Sequence, residues 1–411
     1  MRILAASVSL VPMLACTPTR LDPGVQAAGV WREQDATVAD TAPPLPTFVS
    51  HPLVLSNACG WTGAWQTTYA LADLRAVAAG PDAGFTVLTS AALLHTDDQG
   101  RPGAMRALPN LDGDPVAMAR LPGAWAIVDG QAAQVVLLGD QGSEQSVPIA
   151  PHAGDRLRAV TTVGTTGLAV GGLRAGDPIG AADSLARVLR VDEAATVLWD
   201  RTYAPGLAAE SLVALPDGGL AVLGRSAPAA LPQAWLTRLD PQGQPLWTWT
   251  QGAHASGQFL TARGDGSLLA VIDATVGYQG QCTSVLTAVS GQGQTLWSRC
   301  VGDDAAQLLV LPRGAAELAG GTALALLQGS GKGRGQVTLD ASDSLGLPLW
   351  NATMTDWGTD TDVQGVGHEH GIEVHARALV ALTDGGLLLG GEVEGHAWLA
   401  RLPPGQGCPA R

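Results

Sequence analysis

The sequence predicts an all-β protein, a seven-bladed β-propeller of four-stranded antiparallel blades, on three observations. Leu-Trp pairs recur at Leu198-Trp199, Leu246-Trp247, Leu296-Trp297 and Leu349-Trp350, at intervals of 48, 50 and 53 residues, which is the length of a propeller blade rather than of a helical repeat. Asp-Gly pairs at 217–218, 265–266 and 384–385 stand between short apolar runs, a strong hairpin signal because the turn needs positive φ. No stretch sustains helical periodicity over ten or more residues.

The N-terminus is set aside first, because a targeting segment is not part of the fold. Arg2 precedes an apolar run from Ile3 to Leu14, too short to span a bilayer, and Met13-Leu14-Ala15-Cys16 follows where cleavage would fall. Residues 1–15 read as a signal peptide. The segment resembles a bacterial lipoprotein signal, in which a small residue precedes a Cys that is lipidated and becomes the new N-terminus. That resemblance implies a lipid on Cys16 and, with Thr17 rather than Asp after it, attachment to the outer membrane. Residues 16–56 are irregular, with Thr41-Ala42-Pro43-Pro44-Leu45-Pro46-Thr47 as a stiff extended piece, and read as a tether. The propeller is expected over 57–411.

Seven residues before each repeating Trp stands Asp192, Asp240, Ser290 or Asp343, preceded in the first two units by Arg190-Val191 and Arg238-Leu239. Each unit reads as an inner strand, an Asp-Gly turn, a second strand, a longer loop, a third strand such as 234–239, a Gly turn and an outer strand opening with Leu-Trp. Trp65 to Trp199 leaves room for three blades, with inner hairpins near 80–84, 121–124 and 163–167, the first two blades being degenerate. Three more blades end at Trp247, Trp297 and Trp350. The seventh turns at Asp384-Gly385 and contains Ala397-Trp398-Leu399-Ala400-Arg401-Leu402, but no outer strand follows. Ala64-Trp65-Gln66-Thr67-Thr68-Tyr69 resembles Leu198-Trp199-Asp200-Arg201-Thr202-Tyr203 and supplies it, so an N-terminal strand closes the ring. Trp65, Trp199, Trp247, Trp297 and Trp350 read as residues that dock one blade on the next. They explain the excess of 12 Trp over 3 Tyr and 3 Phe.

If Cys16 carries lipid, four cysteines remain, and the architecture permits Cys282 with Cys300 and Cys59 with Cys408. Such pairs imply an oxidising compartment. The Asp-Gly-Gly hairpin followed by Trp-x-x-Arg-Leu-Asp-x-x-Gly-x-x-x-Trp resembles secreted bacterial β-propellers of the quinoprotein-like type. The likeness covers about 58–410, clearly in the last five blades. Its members include quinone-cofactor dehydrogenases and non-enzymatic outer-membrane lipoproteins that serve as scaffolds, so the fold does not choose an activity.

Lys+Arg 23 against Asp+Glu 37 gives a net charge of -14, with Lys332 as the single lysine. A nucleic-acid partner would be repelled and is excluded. The insertion 353–377 holds the densest set of ligand-type side chains: Asp356, Asp360, Asp362, His368, His370 and His375, with Glu369 and Glu373. Carboxylates suit a hard divalent cation and imidazoles a transition metal, but the spacing matches neither a helical zinc motif nor an EF-hand. Residues 329–333 lack the Ser or Thr a phosphate loop needs after Lys332 and read as a flexible loop. No cofactor beyond a divalent cation is implied. The expected function is a monomeric, lipid-anchored, non-catalytic module that binds an envelope protein or glycan. The alternative is a metal-dependent hydrolase or lyase using 353–377.

Overall fold

The second strand of each blade is apolar on both faces: Phe85–Thr89, Leu220–Ser226 and Leu387–Val393 are buried almost throughout. A strand with one wet face would alternate; these are covered on both sides because another blade stacks on each. Outer strands such as Val197–Tyr203 and Thr295–Val301 are largely open. The computed structural model describes residues 44–404 except 57–62, 72, 81, 109–110, 112–113, 150–153, 176–183, 193, 227–231, 253–254, 275–281, 302–308, 319–320, 332–333 and 357–373. All described residues belong to the unit Asp35–Arg411.

These residues form seven antiparallel sheets and no helix. Blades 1 to 6 follow in chain order over 74–107, 115–148, 156–203, 206–251, 256–301 and 309–356. Blade 7 joins Val374–Ala381, Leu387–Val393 and His396–Leu402 to the N-terminal strand Trp65–Tyr69, which pairs with His396–Leu402. The expected closure by an N-terminal strand is therefore present. Each inner strand packs on the next, and Val374–Ala381 packs back on Leu74–Ala79, so the ring is closed. Its core is split into seven apolar clusters, one at each blade-to-blade seam.

Two segments differ from the sequence reading. Phe48–Pro52 and Val54–Ser56, placed in the tether, are strands: the first adds a fifth strand to blade 7 beside Trp65–Tyr69, the second a fifth strand to blade 6 beside Pro348–Asp356. Leu53 between them is buried, and its N–H donates to the Ala64 carbonyl. The proline-rich stretch 41–47 that suggested a tether precedes both strands, and the single proline within them, Pro52, is compatible with a sheet edge, where one side needs no ladder bonds. The irregular stretch among the described residues thus ends near 47. Gly329-Ser330-Gly331, read as loop, completes the strand Thr322–Gly331, which runs in register with Arg334–Ser342 to the pair Gly331 and Arg334.

Candidate functional site

The repeat residues act across seams. The acceptor seven residues before each Trp ties the turn between third and outer strands: Asp240 accepts from the Gln244 N–H, Asp343 from Leu345 and Leu347, and Ser290 Oγ from Gln292 and Gln294. That turn leaves a glycine at positive φ (Gly243, Gly293, Gly346), and the Trp of the preceding blade lies on it. Trp199, Trp247 and Trp297 donate their indole N–H to the carbonyls of Pro241, Gly291 and Ser344 at 3.2, 2.8 and 2.9 Å. A Cβ on Gly293 would meet the Trp247 ring at 2.8 Å. At the closing seam Trp65 covers Gly100 in the same way, and Tyr69 donates to the Gly100 carbonyl at 2.6 Å, as Tyr203 does to Gly243 at 2.8 Å. Burial drives both phenols upward from their usual pKa, keeping them neutral donors. Trp350 stands on Pro348–Asp356 and packs against the core between blades 6 and 7.

The Arg of the motif pairs with the Asp of the hairpin. Arg238 reaches Asp217 and Arg401 reaches Asp384, both at 2.6 Å, while their other nitrogens donate to the Gly291 and Asp98 carbonyls of the next blade. The Gly219 N–H and then Arg238 hold the Asp217 carboxyl below its usual range. A groove of about 460 Å³ between blades 4 and 5 is lined by these turn-holding residues, with Arg263 and Asp265. It is a seam between hairpins, and its charges already pair with one another.

Cys282 and Cys300 form a disulfide across the third and outer strands of blade 5. Cys16, Cys59 and Cys408 lie outside the described residues, as do Asp360, Asp362, His368 and His370. Asp356 ends the strand Pro348–Asp356. His375 is the second residue of the inner strand of blade 7, Val374–Ala381, with its Nδ1 3.1 Å from Gln328 Nε2. Among the described residues no group of three or more His, Cys, Asp or Glu is placed to hold a metal.

The inner strands contain a feature that sequence reasoning missed. Each carries a β-bulge at the equivalent place, and the extra residue is Arg75, Val116, Arg158, Glu210, Gln258, Arg313 or Arg377 in blades 1 to 7. A bulge re-aims a side chain out of the pleat, and seven of them make a ring around the axis. Arg158 pairs with Glu210 of the next blade at 3.0 Å, and Arg75 with Asp114 of the next at 2.9 Å. Arg377 meets Glu392 at 3.2 Å. Arg313 Nε donates to Gln328 Oε1, whose amide nitrogen donates to the Val374 carbonyl at 2.7 Å. Burial and then the charge of Arg377 push the Arg313 guanidinium below its usual pKa, with Asp273 opposing. The available signal was a polar residue four or five places before the end of every inner strand but that of blade 2, interrupting an apolar run. Arginine, glutamate and glutamine on a closed ring can grip charged and amide groups of a ligand.

No protein-family model matches the chain, and no curated protein sequence matches it. Solved structures do resemble it in fold. Virginiamycin B lyase from Staphylococcus aureus superposes with a TM-score of 0.54 at 10% identity, over 87% of this chain and 99% of that one. The Pan2 WD40 domain of Neurospora crassa gives 0.53 at 10% identity, over 87% and 96%. YCF48 bound to a D1 peptide gives 0.50 at 12% identity, over 90% and 100%. At such identities the likeness is one of fold.

Proposed function

We propose that this protein is an exported β-propeller, anchored to the bacterial outer membrane by a lipid on Cys16, that binds an envelope protein or glycan at its axial ring and catalyses nothing itself. The observation that carries the binding reading is the ring of bulges. Six of its seven residues are Arg, Glu or Gln, at positions where an apolar side chain would serve packing equally well. A propeller of similar fold is known bound to a peptide, which supports the class of role and no particular partner. The anchor rests on Met13-Leu14-Ala15-Cys16 alone.

The test places a photo-crosslinking amino acid at Gln258 on the ring and, as a control, at exposed Leu246 on the outer strand of blade 4. In intact envelopes the Gln258 probe is expected to give a discrete adduct that the Leu246 probe does not. Absence of an adduct at Gln258, or the same adduct from both, would overturn the binding assignment. The anchor is tested separately: Cys16→Ser should abolish lipid labelling, and membrane retention without label refutes it.

A further inference from the structure

We infer that the ring segment between blades 6 and 7 binds the carboxylate side chain of an acidic peptide on a partner protein, through Arg313 and Arg377. This rests on the binding reading above. Both arginines arise from bulges at the same place in adjacent inner strands, Leu309–Leu318 and Val374–Ala381, which pack against each other. Their guanidinium groups are therefore neighbours, and the charge of Arg377 reaches Arg313.

The balance of charge separates this pair from the other two ring arginines. Arg75 and Arg158 each have a carboxylate of the following blade, Asp114 and Glu210, at 2.9 and 3.0 Å. Among the described residues Arg313 and Arg377 have one carboxylate in contact between them, Glu392, which lies against Arg377; the charge of Asp273 reaches Arg313 only from beyond contact distance. Among the described residues Arg313 has no carboxylate within 4 Å and is met only at Nε, by Gln328. Gln328 is itself fixed by its bond to the Val374 carbonyl. The two terminal nitrogens of Arg313 are left as a planar fork, the geometry that takes a carboxylate through two parallel hydrogen bonds. Two adjacent cations with one carboxylate in contact favour a ligand that brings a second into contact with Arg313.

The same charges argue for a peptide. Gln258, the preceding ring residue, offers an amide that matches peptide N–H and C=O groups. A polyphosphate or nucleic acid would extend its charges beyond the ring onto a protein of net charge -14. One or two carboxylates of a peptide remain within the local field, because charges farther than about 8 Å are screened at physiological ionic strength.

The test measures fluorescence anisotropy of a labelled hexaglutamate peptide with the full chain at physiological ionic strength. Hexaglutamine and polygalacturonate run beside it. Saturable binding of hexaglutamate and not hexaglutamine is expected, weakened roughly 10-fold by Arg313→Gln and by Arg377→Gln. Arg201→Gln, a charge removed from an outer strand, should leave it unchanged. Arg377 is 40% exposed, so its variant keeps the test open if Arg313→Gln does not fold. No saturable binding by the wild type, or binding by both ring variants as tight as the wild type's, overturns the inference. Ring-dependent binding of polygalacturonate with none of hexaglutamate overturns the peptide source. If the Gln258 crosslink succeeds while hexaglutamate fails, only this inference falls and the binding reading stands.

Discussion

The seams from blade 3 to blade 6 and those from blade 1 to blade 3 do the same work with different residues. In the first group a Trp lies on a glycine turn of the next blade and donates to its backbone, three times over. In the second neither outer strand, Pro102–Ala107 or Glu144–Pro148, has a Trp. Arg106 instead donates from blade 1 to the Gly139 and Gly142 carbonyls of blade 2, both at 2.9 Å. Between blades 2 and 3 the device is buried: Arg187 bonds Asp155 at 2.7 Å, Asp200 at 2.6 Å and the Ile149 carbonyl at 2.6 Å. A seam therefore needs a donor aimed at the neighbouring turn or crossing strand and a body that excludes water around it. Trp supplies both in one side chain, and a guanidinium supplies the first when the packing around it supplies the second.

The largest expected break is at Arg187. Arg187 and Asp155 are fully buried, so Arg187→Ala leaves a carboxylate without its cation in an apolar seam. A loss of about 3–5 kcal/mol is expected in urea unfolding. Replacing Arg187 by Met together with Asp155 by Leu should recover most of it, because an apolar pair of similar volume removes the unpaired charge. A single-variant loss under about 1 kcal/mol would mean that the network does not hold this seam.

The regular seam is probed by a cycle on Trp247 and Gly293. Trp247→Ala is expected to cost about 2–3 kcal/mol, below the range for a fully buried Trp because this one is half-buried. Gly293→Ala carries both the strain of a positive φ and the clash with the ring. In the double variant only the strain remains, so the two changes should fall short of additivity by about 1 kcal/mol. Strict additivity would show that the turn and the Trp are independent.

The smallest effect belongs to Arg106→Ala, about 1 kcal/mol, because its bonds to Gly139 and Gly142 are partly wet. A loss matching that of Trp247→Ala would erase the distinction between the two kinds of seam.

The blade count, the hairpin turns at 80–84, 121–124 and 163–167, and the borrowed strand at Trp65 are legible in the sequence, because each depends on a few neighbouring residues with fixed chemistry. The Cys282–Cys300 pair follows from the same strand order. The pairing of Trp65 with Tyr69, and of Trp199 with Tyr203, is also visible as spacing, but its purpose is not. Each pair reads a glycine in another blade, 31 residues on from Tyr69 and 40 from Tyr203, and no local pattern says so.

Sequence alone determined that this chain is a ring of repeated four-stranded units, since a turn residue at positive φ and a docking Trp at constant spacing are local requirements that composition displays directly. Tertiary structure decided which residues share the axis and where the N-terminal strands attach. A bulge shifts one residue out of the period-2 pattern without changing composition, so Arg313 was not singled out and Arg377 was placed at the end of the insertion 353–377 rather than in the strand Val374–Ala381. Phe48–Pro52 and Val54–Ser56, at five and three residues, are too short to declare themselves beside a proline-rich stretch; they are strands because blades 7 and 6 offer edges to which they bond.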